Sequence, residues 1–288
     1  MAELALKNVS YIYSVGTPFE KKALDNVSIS FGDGVITGLI GHTGSGKSTL
    51  VQLLNGLLKP SEGVITLDGA DIWEKPKEIT AVRFKVGLVM QYPEYQLFEE
   101  TVYKDIAYGP SNMGLDEDEI KKRVAESALF CGISDDMLEK SPFDLSGGQK
   151  RRVAIAGVMA MRPAVLILDE PAAGLDPVGR EDILGGIRTF QKQTGTTVII
   201  VSHSMEDMAV YCDELVVMNQ SSVYMSGKTK EIFSQADKLI EVGLDVPQIT
   251  HFFKSLKNRG VDVPQNIFTV DEAVKVLLSM LKEKEGSK

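Results

Sequence analysis

Eight residues, Gly41-His42-Thr43-Gly44-Ser45-Gly46-Lys47-Ser48, match the pattern G-x-x-x-x-G-K-S, with Thr49 next in line. Glycines at this spacing let the backbone curl until several N–H groups point inward, where they hold phosphate oxygens. A helix that begins at the end of such a loop adds the positive end of its dipole. Lys47 then reaches the β- and γ-phosphates, and the Ser48 hydroxyl suits Mg²⁺. A second chemical pair, Asp169-Glu170, closes the apolar run Val165-Leu166-Ile167-Leu168. Carboxylates at the carboxyl end of a buried parallel strand stand where open α/β sheets bind ligands. Asp169 suits the Mg²⁺ shell, and Glu170 suits the attacking water, as base or as orienter. A third segment, Leu145-Ser146-Gly147-Gly148-Gln149, puts a serine and two glycines at a helix start, which exposes a hydroxyl and N–H groups to an anion.

These groups need elements to hold them. Residues 35–40 form a short apolar run between glycines and predict a buried strand before the loop. Residues 48–54 have helical spacing, stopped by Gly56 and Pro60. Residues 64–67, 86–90, 164–168, 197–201 and 214–218 predict further strands. Ile183, Ile187 and Phe190 give a helical face between two of them, so strand–helix–strand alternation implies a parallel sheet with right-handed crossovers. The stretch 92–160 predicts a mostly helical insert. Asp116 caps one helix with Glu119 as its box partner and Ile120, Val124 and Ala128 on one face; a second helix starts near Ser146. Past about residue 236 two amphipathic helices are expected. Ile249, Phe252, Phe253 and Leu256 face one way up to Gly260, and Val270, Ala273, Val274, Leu277, Leu278 and Leu281 form a stripe behind the capping box Thr269-x-x-Glu272. Such stripes must pack on the main domain or on a partner.

Composition bounds the rest. The 288 residues are 43% hydrophobic and 25% charged, which suits a folded protein and excludes disorder as the main reading. With 31 basic and 40 acidic side chains the net charge is −9, which argues against a broad nucleic-acid surface and leaves room only for a local basic patch; no nucleic-acid partner is expected. Cys131 and Cys212 are too few for a disulfide framework. The first seven residues lack the basic start and apolar run of a signal peptide, and the apolar runs are strand-sized.

The order phosphate loop, Gln91, Leu145–Gln149 motif, Asp169-Glu170, Asp176 and His203 resembles that of ATP-binding-cassette (ABC) ATPases over about residues 4–235. The resemblance implies a P-loop NTPase core of α/β class with a helical subdomain at about 92–160, inside a nucleotide-binding domain of residues 1–235, followed by a small helical extension at 236–288. It implies ATP hydrolysis with Mg²⁺. Tyr13, or Tyr11 beside it, stacks on adenine. Gln91 contacts the metal and the water. Ser146 and Gly148 hold the γ-phosphate of ATP bound to the opposite subunit, with Gly147 and Gln149 in the same nucleotide-binding segment. Asp176 lies at that subunit interface, and His203 bonds the γ-phosphate. The partner is then a second ABC ATPase subunit, of the same or a related chain.

A narrower likeness joins Gln91-Tyr92-Pro93-Glu94-Tyr95-Gln96-Leu97-Phe98-Glu99-Glu100-Thr101-Val102 and the tail to the ATPases of energy-coupling-factor (ECF) transporters. It implies uptake of vitamins or of cobalt and nickel ions at the cytoplasmic face of the cell membrane. The implied membrane partners are a transmembrane coupling protein and a separate substrate-binding membrane protein. Tyr92, Tyr95, Leu97 and Phe98 would line a groove for cytoplasmic helices of the coupling protein, with Glu94 pairing to an arginine there. Another ABC transporter class, or a soluble ABC ATPase, is the alternative.

Overall fold

The computed structural model describes residues 3–32 and 34–286; the first two residues of the amino terminus read above lie outside them. Two sheets form the frame. The larger has six strands in the order β10 (Ser222–Lys228), β9 (Glu214–Asn219), β3 (Ile36–Gly41), β8 (Thr197–Val201), β7 (Val165–Asp169), β6 (Val86–Val89). All neighbours are parallel except β10 against β9. The smaller is antiparallel, in the order β2 (Lys21–Phe31), β1 (Leu4–Tyr13), β4 (Glu62–Leu67), β5 (Ala70–Asp71).

The parallel strands are buried on both faces, as continuous Val/Ile/Leu runs require. Successive residues feed opposite cores. Leu166, Leu168, Val198 and Ile200 join one cluster, whereas Val165, Ile167, Ile199 and Val201 join the other. The second cluster is closed by the antiparallel sheet and by α1 (Lys47–Leu54), whose Leu50, Leu53 and Leu54 are fully buried. The helix α2 (Ile79–Lys85) leads into β6. The first cluster is closed by α3 (Val102–Asn112), α4 (Glu117–Phe130), α5 (Asp135–Leu138) and α6 (Gly147–Ala160), which fill the span between β6 and β7, and by α7 (Pro177–Thr194) and α8 (Met205–Tyr211).

The capping box expected at Asp116 is half formed. Asp116 accepts from the Glu119 N–H at 2.9 Å, but the Glu119 carboxylate does not return the bond. It binds Arg123 at 2.8 Å and Arg162 at 3.1 Å instead, because two guanidiniums outcompete one backbone N–H for a carboxylate.

The tail holds α9 (Thr229–Phe233), α10 (Ala236–Glu241), α11 (Gln248–Asn258) and α12 (Val270–Gly286). Leu239, Val246 and Phe268 join the main core, while Phe253, Val263, Ile267 and Ala273 make a small cluster of their own. The α12 stripe is only partly covered: Ala273 is buried, yet Val270, Val274, Leu278 and Leu281 are about half exposed or more. Among the described residues no helix is long and apolar enough to cross a membrane.

Candidate nucleotide site

Four neighbouring strands of the large sheet, β3, β8, β7 and β6, end on one edge, and each delivers a chemical group there. The loop after β3 brings Lys47 and Ser48, β8 leads to His203, β7 ends in Asp169-Glu170, and β6 leads to Gln91. These six residues line one cavity of about 360 Å³, together with Thr43, Gly44, Gly46, Thr49 and Tyr13. The register places Leu39 and Asp169 both opposite Val201, so the loop and the carboxylates flank the same strand end. This is the carboxyl edge at which open α/β sheets bind ligands.

The loop geometry follows from its glycines. Gly46 has φ 105°, and a Cβ there would meet the Ala23 carbonyl oxygen at 2.5 Å. Gly46 also stands at the N-cap of α1 and offers no side-chain acceptor, so the first N–H groups of that helix stay free for an anion. The Lys47 ammonium donates to the Gly41 carbonyl at 2.6 Å and to the His42 carbonyl at 3.1 Å. Burial lowers its pKa, while Glu170 and Asp169 act in the opposite direction. Gly41, His42 and Ser45 brace the loop from behind rather than line the cavity. The His42 ring sits between the Thr43 carbonyl at 2.8 Å and Asn219 Oδ1 at 3.1 Å. Ser45 is fully buried, and a Cβ on Gly41 would meet its hydroxyl at 2.6 Å.

Glu170 occupies the left-handed region at φ 53°, uncommon for a side chain of this size. Pro171 disfavours the right-handed α conformation at residue 170, and the Glu170 N–H donates to the Val201 carbonyl at 3.0 Å. Backbone strain of this kind persists where the surroundings fix it, often at functional sites. Burial, and then the Asp169 charge, raise the Glu170 carboxyl to about 7. Burial also raises Asp169, with Lys47 opposing. Burial and then Lys47 lower His203. Glu170 Oε1 is buried and has no hydrogen-bond partner.

The donor set fits Mg-ATP. Lys47 and free helix N–H groups suit phosphates, and the oxygen donors of Ser48, Asp169 and Gln91 suit a hard cation. Among the described residues no cluster of three His, Cys, Asp or Glu side chains could hold a metal alone. Mg²⁺ needs fewer protein ligands where substrate phosphates supply the rest. Tyr13 lines the cavity, with its hydroxyl 3.2 Å from Thr49 Oγ1, and Tyr11 packs edge-on against its ring at a 4.7 Å centroid distance.

Other candidates stand elsewhere. Ser146 and Gln149 complete a capping box at the start of α6, where Gln149 Oε1 accepts from the Ser146 N–H at 3.0 Å. Neither they, nor Gly147 and Gly148, nor Asp176 lines the cavity. Asp176 caps α7, accepting from the Gly179 N–H at 2.7 Å. Glu94 does pair with an arginine, but with Arg151 of the same chain, at 3.0 and 3.2 Å, rather than standing free for a partner's. The sequence reading missed Arg151, because Lys150-Arg151-Arg152 resembles a solvated basic run and nothing marks its middle member as buried.

Residues 24–173 match the ABC transporter family. The energy-coupling factor transporter ATP-binding protein EcfA2 of Clostridium acetobutylicum is 54% identical over 280 residues, 97% of this chain and 98% of that protein. EcfA2 of Caldanaerobacter subterraneus is 52% identical over 279 residues, again 97% of this chain and 98% of that one. Among solved structures, cbiO1 from Clostridium perfringens, part of the ABC transporter complex cbiONQ, superposes with TM-score 0.74 at 42% identity, covering 87% of this chain and 98% of that one. A dimeric bacterial ABC transporter cassette gives TM-score 0.71 at 28% identity, over 78% of this chain and 98% of that one. The α/β fold is therefore that of a P-loop NTPase, and the chain belongs to the ABC transporter ATPases, within them to the ATP-binding subunits of energy-coupling factor transporters.

Proposed function

We propose that this chain hydrolyses ATP at the cytoplasmic face of the cell membrane as the energy-coupling subunit of an ECF-type importer for vitamins or for cobalt and nickel ions. Residues 1–235 serve as the nucleotide-binding domain, with 92–160 as its helical subdomain, and 236–288 as the extension. The partners are a second ABC ATPase subunit, a transmembrane coupling protein and a substrate-binding membrane protein, with no nucleic acid involved.

In this reading the Gly41–Thr49 segment binds the triphosphate and Tyr13 stacks on adenine. Lys47 leaves the Gly41 and His42 carbonyls for the β- and γ-phosphates. Ser48, Asp169 and Gln91 hold Mg²⁺, which neutralises charge on the phosphate oxygens when bound. Glu170 orients the attacking water and takes its proton, and Gln91 and His203 contact the water and the γ-phosphate. Ser146, Gly147, Gly148, Gln149 and Asp176 act on the nucleotide of the opposite subunit.

The observation that carries this reading is a division of labour in space. One cavity gathers Lys47, Ser48, Gln91, Asp169, Glu170 and His203, while the second anion-binding segment starts α6 outside it. A site split in this way is completed by another subunit. The test is purification of the complex from its native membrane, identification of every subunit and reconstitution in proteoliposomes. Co-purification with a coupling protein and a substrate-binding membrane protein, and ATP-dependent uptake of one of these substrates, are the expected results. A chain that co-purifies with neither membrane protein, or a complex that exports, contradicts the reading.

A further inference from the structure

Arg151 is almost fully buried, at 5% exposure, on the first turns of α6. A buried guanidinium is costly unless its donors are matched, and here they are matched by two other segments of the chain. Nε and Nη2 form a two-pronged pair with the Glu94 carboxylate at 3.2 and 3.0 Å. Nη1 donates to the Ala173 carbonyl. Glu94 lies three residues beyond Gln91, in the turn Pro93–Gln96, and Ala173 lies three residues beyond Glu170. The arginine itself lies two residues beyond Gln149. One planar cation therefore ties together the segments that bear Gln91, Glu170 and the second anion-binding motif. None of its bonds reaches the phosphate loop.

We propose that Arg151 is a positioning residue for hydrolysis, whose pair with Glu94 and bond to Ala173 hold the Gln91 and Glu170 segments in register with the start of α6. This rests on the roles given above to Gln91 and Glu170. Lysine cannot replace it in full, because an ammonium lacks the planar fork that spans a carboxylate and a carbonyl at once. The pair also links the exposed aromatics Tyr92 and Tyr95, on the same turn as Glu94, to the start of α6.

The test uses the full chain assembled with its partner subunits. Arg151→Met, Arg151→Lys, Glu94→Gln and Glu170→Gln are compared for kcat at saturating Mg-ATP, for affinity towards a fluorescent ATP analogue, and for Tm. For Arg151→Met and Glu94→Gln, kcat is expected to fall roughly three- to thirtyfold. Nucleotide affinity should stay within about twofold, since the phosphate loop is untouched. Arg151→Lys should recover part of kcat, and the Arg151→Met/Glu94→Gln double variant should lose little more than Arg151→Met alone. If kcat per native molecule stays within about twofold of wild type while only Tm falls, Arg151 is a structural residue and the proposal is overturned. Should Arg151→Met fail to fold, Glu94→Gln gives the same decision. Wild-type turnover in Glu170→Gln overturns the site assignment; a loss there with none in the Glu94 and Arg151 variants overturns this inference alone.

Discussion

His203 Nε2 stands 3.6 Å from Glu170 Oε1, beyond hydrogen-bond distance, across the ends of neighbouring strands β8 and β7. That carboxylate oxygen is buried and unpartnered. A buried acceptor without a donor is costly, and a water molecule is the smallest group that would satisfy it. The relationship directs the first expectation. Glu170→Gln keeps the shape of the site and removes the base. Turnover should fall by roughly 10²–10⁴-fold while ATP affinity stays within a few-fold. Steady-state hydrolysis alongside nucleotide titration checks this, and undiminished turnover would remove Glu170 from the mechanism.

The pH response follows from the same carboxyl. Burial and the Asp169 charge hold Glu170 near 7 in the folded chain, against 4.5 as its ordinary value. A proton on Glu170 prevents it from acting as base, so kcat/KM should decline below about pH 7, and the Gln variant should lack that limb. Stability runs the other way. A folded-state pKa above the unfolded one gives a contribution that is complete below 4.5 and lost as pH rises through about 7. Glu170→Gln should therefore melt higher than wild type by roughly 2–6 °C near pH 8, with the gap closing as pH falls towards 4.5. Melting curves across that range decide it; a gap that widens on acidification contradicts the assignment.

Coupling to a membrane partner is best probed at Tyr95, which is 84% exposed. Tyr95→Ala should leave Tm and ATP affinity unchanged and reduce transport by the reconstituted complex. Equal loss of nucleotide affinity and transport would count against a docking role. Glu94→Arg is a poorer probe. It would set a second guanidinium against buried Arg151, with a cost to folding of about 3–5 kcal/mol.

The tail calls for point changes rather than deletion. Phe233 and Phe268 pack with tilted rings at a 5.9 Å centroid distance, and Leu239 joins the same core, so cutting after Lys238 strips buried surface from the main domain. Leu278→Glu with Leu281→Glu alters only exposed positions of α12. If this stripe supports the ATPase pair, the double variant should melt like wild type and associate more weakly in sedimentation. Unchanged association removes the stripe from that role.

Much of the site was legible in the sequence because its chemistry is local. The loop 41–48 and the pair Asp169-Glu170 each follow an apolar strand run that marks burial, so type and position could be read together. The antiparallel sheet was less legible. β1 pairs with β2 through register shifts around Val9 and Tyr11, with Asn8 at φ 51°, and these break the alternation that marks a half-buried strand. The Glu94–Arg151 pair spans 57 residues of chain, and no local period encodes such a contact. Nor does the α12 periodicity say which part of its stripe remains uncovered.

In the proposed function two half-sites from separate subunits close over one nucleotide. Sedimentation velocity of the full-length Glu170→Gln chain, alone and mixed with a related ATPase subunit, tests it most directly. Saturating Mg-ATP, and not Mg-ADP, should drive association into a dimer, and Ser146→Arg in both subunits should abolish it. If Mg-ATP leaves the Glu170→Gln chain unassociated both with itself and with the related subunit, the account is contradicted.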